Sequence, residues 1–510
     1  MKIKTNNLSV FAGVITSLCS LQSNAVDFYF GNDQGVSVQV NSQLSLGASW
    51  RTEDANYALI GSENGGTGST GDSDDGNLNF DKGQTFSQIL KGSHDMQMTM
   101  GNFGVFTRFK YWTDAELANG ERAHGNANNS YAQDKPLSDD GFSNNAKFSG
   151  ITLLDAYVFA ALDVAQMPVD VRLGRQVLSW GESTFIQGGL SATNPFDVSA
   201  LRRPGATLKE GLLPVGMAYF SAGLSENLSV EAFYQYEWAK TEIDGCGTLF
   251  AVDFVASGCD VIALGTLANV PDGAALGAGL EVNRQADIEA KDDGQFGVAA
   301  RYFSESLNNT EFGVYFMNIH SRVPLISAIR NSNPGVPGVL PATIAGTAAA
   351  APFIPSSHPT LGALSVYNPE YLIEFPEDLK FFGLSFATNA GGLALSGEVS
   401  YKPDTPIQIN AAHLLNATLL ETSAHPSGIT LPFSERLIAS QPGAVVKSYD
   451  LFDVTQVQVT AVHFMDRVLA ASRLSLVAEL GLILTDGVED SAFVYGREAV
   501  FGLDDASTSD

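Results

Sequence analysis

Apolar and polar residues alternate along this chain in long runs with a period of two. In residues 36–51, Val36, Val38, Val40, Leu44, Leu46, Ala48 and Trp50 fall on one face, broken by Ser42. Ser37, Gln39, Asn41, Gln43, Ser45, Ser49 and Arg51 fall on the other. That period places successive side chains on opposite faces of a β-strand. The run exceeds the roughly 9–11 residues that a tilted strand needs to cross hydrocarbon. Comparable runs occur at 103–112, 152–162, 169–173, 216–224, 227–238, 296–303, 312–322, 381–388, 393–402, 454–463 and 473–484. In residues 227–238, Leu228, Val230, Ala232, Tyr234, Tyr236 and Trp238 share a face that ends in an aromatic cluster, as at a membrane interface; Phe233 is the apolar exception opposite. About 13 or 14 strands are expected from these runs. Strands of this kind survive in lipid only when closed on themselves, because an open edge leaves backbone groups unpaired there. The expected fold is therefore all-β, a transmembrane antiparallel barrel of about 14–18 strands when complete.

The connections sharpen this expectation. Residues 163–168 and 225–227 are tight turns, whereas 53–82 and 114–147 are long, the asymmetry of outer-membrane barrels. Residues 61–76 are rich in Gly, Ser and Asp and read as a solvated loop, the alternative being a divalent-ion site among Asp72, Asp74 and Asp75. Two other connections, 323–376 and 407–420, are too apolar for open loops, and 183–214, a loop rich in Gly and Pro, also carries apolar residues that lipid cannot reach. Apolar segments of this size must be covered, inside the barrel as a plug, over its mouth as a cap, or against another subunit; plug or cap is favoured. Phe185, Phe196, Leu414 and Leu415, with Ile186, Leu190, Leu201, Leu212, Leu213 and Leu419, are candidates for an apolar lining. Gly188 and Gly189 would let the first segment move aside. Arg202 and Arg203 are candidates to meet an anionic group on a permeant, or else to pair with acids such as Glu210.

Charge and compartment follow. The chain opens with Lys2 and Lys4, an apolar stretch at 8–21 and Ser23-Asn24-Ala25, the pattern of a signal peptide over residues 1–25 cleaved near Ala25. Removing Lys2 and Lys4 leaves 26 basic residues against 56 acidic ones, a net charge near −30. Such a surface repels nucleic acid, which is excluded as a partner. Arg172, Glu231, Arg301, Glu398, Arg473 and Glu479 sit on polar strand faces and are expected to line the lumen, either pairing across it or serving conduction. Cys246 and Cys259, in one connection of an oxidised envelope protein, are expected to form a disulfide. No cofactor and no metal-ligand set is assigned. His320 and His463 lie on strand-like segments with no nucleophile motif beside them, so the chain is not expected to be an enzyme.

Several motifs bear a resemblance. At Gly174-Arg175-Gln176, Trp180-Gly181-Glu182-Ser183, Gln187-Gly188-Gly189, Asn194-Pro195, Asp197-Val198-Ser199, Arg203-Pro204-Gly205 and 209–214 the chain resembles a proteobacterial outer-membrane family catalogued as a domain of unknown function, number thirteen-oh-two. The likeness continues through 228–235, the cysteine loop and Asp404-Thr405-Pro406. It implies an outer-membrane barrel of a Gram-negative bacterium, in contact with lipid and lipopolysaccharide. It also implies action beside a lipid-carrier-like envelope protein and a resistance-nodulation-division type exporter. Members continue into further strands, so residues 26–510 are expected to form a barrel lacking its last C-terminal strands. The expected function is a channel or transporter for hydrophobic or amphipathic compounds, steroid- or fatty-acid-like. The alternatives are a non-conducting anchor of a trans-envelope lipid-handling complex and, less favoured, a barrel hydrolase.

Overall fold

The computed structural model describes residues 26–30, 35–68, 74–263, 265, 270–277, 281–330, 370–420, 432–468, 471–491, 493 and 495. The expected signal peptide, the middle of the 323–376 connection, Asp72 and the last residues lie outside this set. Fourteen strands form one sheet: β1 Val26–Phe30, β2 Val36–Trp50, β3 Thr85–Met100, β4 Phe103–Asp114, β5 Ser149–Val164, β6 Met167–Gln176 and β7 Val215–Gly223. The second half is β8 Leu228–Gln235, β9 Gln295–Ser304, β10 Thr310–Ile319, β11 Leu379–Ala390, β12 Leu393–Gln408, β13 Tyr449–Val468 and β14 Ala471–Asp486. Each strand pairs antiparallel with its neighbour in sequence, an up-and-down meander.

Connections alternate strictly. At one end they are turns such as Ala165-Gln166, where both residues have positive φ (52° and 68°) as a tight hairpin of right-handed twist requires. At the other end they are long, residues 51–84, 115–148, 177–214, 236–294, 320–378 and 409–448.

The two faces of the sheet are inverted relative to a water-soluble one. Leu46, Ile151, Val314 and Leu480 are 61, 73, 57 and 79% exposed on the outer face. Register carries that face across strands, as in Val314 opposite Leu384 and Leu384 opposite Val399. Lys91, Lys110, Ser400, Gln456 and Gln458 are buried on the inner face. Apolar outside and polar inside is what lipid selects. Phe233, the apolar exception in its strand, belongs to the inside, where it packs on Trp180 at 5.0 Å. Trp238 departs from the expected outer row. β8 ends at Gln235, so Trp238 leaves the sheet, buries against Phe375 and donates its indole N–H to Ser321 O at 3.1 Å. Tyr234 and Tyr236 remain exposed, with no tryptophan beyond them.

The sheet curls. Ile186 N donates to Glu479 on β14, and eleven residues later Asp197 pairs with Lys110 on β4. Ten inter-strand spacings separate those strands, about 48 Å in a flat sheet. Eleven residues span at most about 38 Å fully extended, and this stretch contains turns. Both strands therefore bend round the same segment. No pairing joins β1 to β14 among the described residues.

At the long-connection end a second sheet forms from Val261–Ala263, Glu281–Arg284, Glu370–Glu374, Leu325–Ile329 and Val445–Val446, in that order. Helices Ala411–Leu420 and Pro432–Ala439 join it. Together they enclose an apolar core of Trp238, Phe254, Ile326, Ile373, Leu414, Phe433 and Leu437 among others. Of the apolar segments expected at 323–376 and 407–420, Leu325–Ile329, Glu370–Glu374 and Ala411–Leu420 belong to this second unit, whereas Ile407 and Gln408 are the end of β12 and pair with Asp450 and Tyr449.

Candidate functional site

The connection 177–214 between β6 and β7 runs along the inner face, and its sequence shows why. Its two ends are pinned together by Asn194. That side chain accepts from Leu178 N (2.9 Å) and donates to Gln176 O (3.2 Å) and Leu213 O (3.0 Å). Thr193 O in turn accepts from Gln235 and Arg322, both at the rim of the sheet. Arg322 is buried; desolvation lowers its guanidinium to about 10, so it stays charged while bound to carbonyl and amide oxygens.

Beyond this knot the segment reaches two walls. Towards β3 and β4, Asp197 caps the short helix Val198–Arg202 through Ala200 N (2.8 Å) and pairs with Lys110 at 2.7 Å. Lys110 also donates to Glu210 O, and Glu210 pairs with Lys91 at 2.6 Å. These ion pairs are buried on both sides, so each charge is held by its partner in place of water. On the opposite side Trp180 donates its indole N–H to Glu231 at 2.8 Å, and Glu231 is held by Arg301 at 2.7 Å.

The tip, residues 181–190, hangs from two carboxylates. Glu398 on β12 accepts from Glu182 N (2.6 Å), Leu190 N (2.9 Å) and Gln458 Nε2 (2.6 Å). Glu479 on β14 accepts from Thr184 N (2.7 Å), Phe185 N (2.6 Å) and Ile186 N (2.7 Å), and from the Thr460 hydroxyl. Lys402 Nζ and Gln456 Nε2 close the set on Gly188 O and Gln187 O. The approach is so close that a Cβ at Gly189 would lie 2.0 Å from Glu398 Oε1, and one at Gly181 2.2 Å from Oε2. A side chain at Gly189 would therefore have to displace the Glu398 carboxylate from which the tip hangs. Charge-assisted hydrogen bonds from main-chain N–H groups to an anion are among the stronger polar contacts.

The residues expected from sequence are placed as follows. Glu231, Arg301, Glu398 and Glu479 face the segment and hold it. Arg172 lies over the Tyr157 and Tyr219 rings at 6.0 and 5.2 Å, and Arg473 pairs with Asp466 on the exposed short-turn side. Phe185 is exposed at the tip, while Leu190 is fully buried beside Trp180. Phe196 bridges to Leu212 in a strand-like contact. Leu414 is buried in the cap and Leu415 packs against the same core, apart from the segment. Arg202 is committed to Asp244 and Phe250 O, and Arg203 to Asn145 O (2.6 Å) above the Trp112 ring. Glu210 is taken by Lys91. Cys246 and Cys259 are joined. His320 spends both ring nitrogens on backbone groups, Asp293 O and Asp378 N. Lys91, Lys110, Gln456 and Gln458 were not singled out from sequence; their signal was a polar residue at an inward register of an alternating strand.

A family model described as "Protein of unknown function (DUF1302)" matches residues 7–509. The chain belongs to that family. No curated protein matches this family member. Among solved structures it is similar to the outer membrane channel DcaP of Acinetobacter baumannii, at 8% identity and TM-score 0.31, over 90% of this chain and 82% of that one. It is also similar to Salmonella typhi OmpF in complex with daunomycin, at 7% identity and TM-score 0.35, over 91% and 84%. A third is Acinetobacter baumannii OccAB1, at 10% identity and TM-score 0.27, over 92% and 94%. Scores this low carry no functional argument.

Proposed function

We propose that this chain is an outer-membrane barrel channel whose lumen is narrowed by residues 177–214. One observation carries the reading: a segment of its own chain hangs by Glu398 and Glu479 across the concave, polar side of a sheet whose convex side is apolar. A sheet with an apolar outside belongs in lipid. A loop held on the inner wall by hydrogen bonds constricts a pathway, and hydrogen bonds can be exchanged for water when it moves.

The permeant class depends on what the segment leaves accessible. Leu190, Trp180 and Leu213 are buried in the wall, so the apolar surface offered on the segment is chiefly Phe185 and Leu208, 65 and 62% exposed. That small apolar surface beside charged groups supports amphipathic molecules over wholly apolar ones. Uptake of steroid- or fatty-acid-like compounds, together with a lipid-carrier-like protein and a resistance-nodulation-division type exporter, is proposed on the family resemblance alone.

The test is conductance of the purified chain in planar bilayers. Wild type is expected to give small, fluctuating openings. Deleting Gln187 to Ala192, or Glu479→Ala, is expected to give larger and steadier ones. A silent wild type with silent variants would favour a non-conducting anchor of an envelope complex instead.

A further inference from the structure

Three long connections meet in a buried polar cluster away from the inward segment. Asp75 opens the short helix Asp75–Asn79 in connection 51–84, His124 lies in 115–148, and Asp253 and Asp272 lie in 236–294. His124 Nε2 is 3.0 Å from Asp75 Oδ1 and 3.5 Å from Asp272 Oδ2, and the three atoms lie within 4.8 Å of one another. His124 Nε2 is thus within contact distance of both carboxylates yet meets neither at hydrogen-bond angles. Asp75 is 1% exposed and leaves Oδ2 unpartnered; Asp253 accepts from Asp75 N with Oδ2 and leaves Oδ1 unpartnered. Asn64 steadies the group from outside, donating to Asp272 Oδ2 at 2.9 Å and to Asp74 Oδ2 at 3.1 Å. No lysine or arginine pairs with Asp74, Asp75, Asp253 or Asp272 among the described residues.

We propose that Asp75, His124 and Asp272 bind one divalent transition-metal ion of the Zn²⁺ or Mn²⁺ kind, which ties the three connections together beside the sheet mouth. Ligand bonds of about 2.0–2.2 Å set adjacent donor atoms roughly 3.0–3.5 Å apart around a tetrahedral or octahedral centre, the spacing of His124 from each carboxylate, while the two carboxylate oxygens lie within 4.8 Å of each other. One imidazole with carboxylates suits such ions; Ca²⁺ takes six to eight oxygens, and Mg²⁺ keeps most of its waters. Asn64 supplies the outer support that orients a ligating carboxylate. The neighbouring trio of Cys246, Asp253 and Cys259 offers no thiolate because the sulfurs are bonded to each other. Asp253 therefore places the disulfide loop and the ion site on one scaffold.

Equilibrium dialysis of the full chain in detergent against Zn²⁺, Mn²⁺ and Ca²⁺, followed by elemental analysis, tests this. The proposal requires one equivalent of Zn²⁺ or Mn²⁺ per wild-type chain. It also requires at least about 100-fold weaker binding in His124→Gln and Asp272→Asn, more than the loss of a supporting partner brings. Strand content by circular dichroism and an intact disulfide establish that the variants fold. A wild-type chain that binds none of these ions, or binds Ca²⁺ alone, overturns the proposal without any variant. So does Zn²⁺ or Mn²⁺ binding that survives both substitutions. In the bound wild type, chelation is expected to open connections 51–84 and 115–148 to protease while the strands stay protected.

Discussion

The cap and the inward segment are both built from long connections at the same end of the sheet, yet they are held in opposite ways. The cap has its own apolar core, with Phe433, Leu437, Ile373 and Ala417 buried together. The tip of the inward segment buries only Leu190, at its base, in an apolar cluster. Its main chain hangs from Glu398 and Glu479, and Phe185 beside them is exposed. Apolar burial is lost only when a whole unit comes apart, because each residue touches many others. A hydrogen-bonded strap can detach one anchor at a time and exchange each bond for water at small net cost. The difference predicts that the cap unfolds as a unit and that the tip can yield one anchor at a time.

The largest expected effect is in the cap. Phe433→Ala removes a buried ring and should cost about 3–5 kcal/mol, melting the cap in protease digestion while the strands stay protected. If the inward segment became equally exposed, the two regions would not be independent. Next comes the wall that both regions share. Leu44 is exposed and Gln43 is turned inward. Leu44→Arg should cost about 2–4 kcal/mol at mid-bilayer and Gln43→Arg much less, read as the yield of heat-modifiable, membrane-inserted protein. Equal tolerance would remove the assigned register.

The disulfide sharpens the contrast within the connections themselves. Cys246 and Cys259 are 13 residues apart and buried in a cluster with Phe142, Phe148 and Ala256. Replacing both with Ser should relax that loop by about 3 kcal/mol in the chain-entropy account, raising proteolysis at the loop and leaving single-channel conductance as in wild type. The smallest effect belongs to the strap. Glu398→Ala strands Glu182 N, Leu190 N and the Gln458 amide, a loss of about 1–3 kcal/mol. Thermal unfolding should barely change, whereas amide exchange over 182–190 should quicken. Slow exchange there in the variant would mean that the tip is held by something other than its carboxylates.

Much of this was legible in sequence because a strand's period is a local property. The alternation of 36–51 and the polar setting of Glu398 and Glu479 needed no knowledge of the fold. What failed was the end of a run: Trp238 continues the alternation on paper, but β8 stops at Gln235 and the ring is drawn into the cap by Phe375. The apolar residues of 183–214 and 407–420 also looked alike. Leu190 packs beside Trp180 on the inner wall and Leu414 inside the cap, and no local pattern distinguishes two destinations for the same residue type.

Most of the strands, though not β1 or β3, with their polar and apolar faces and the alternation of short and long connections, could be read from the chain alone, because each depends on neighbours within a few residues. Which lysine meets which acid, the approach of Gly189 to Glu398 and the convergence of Asp75, His124 and Asp272 from three connections were set by the folded chain as a whole. Those contacts join residues tens to hundreds of positions apart, and their partners are chosen by how the sheet curls.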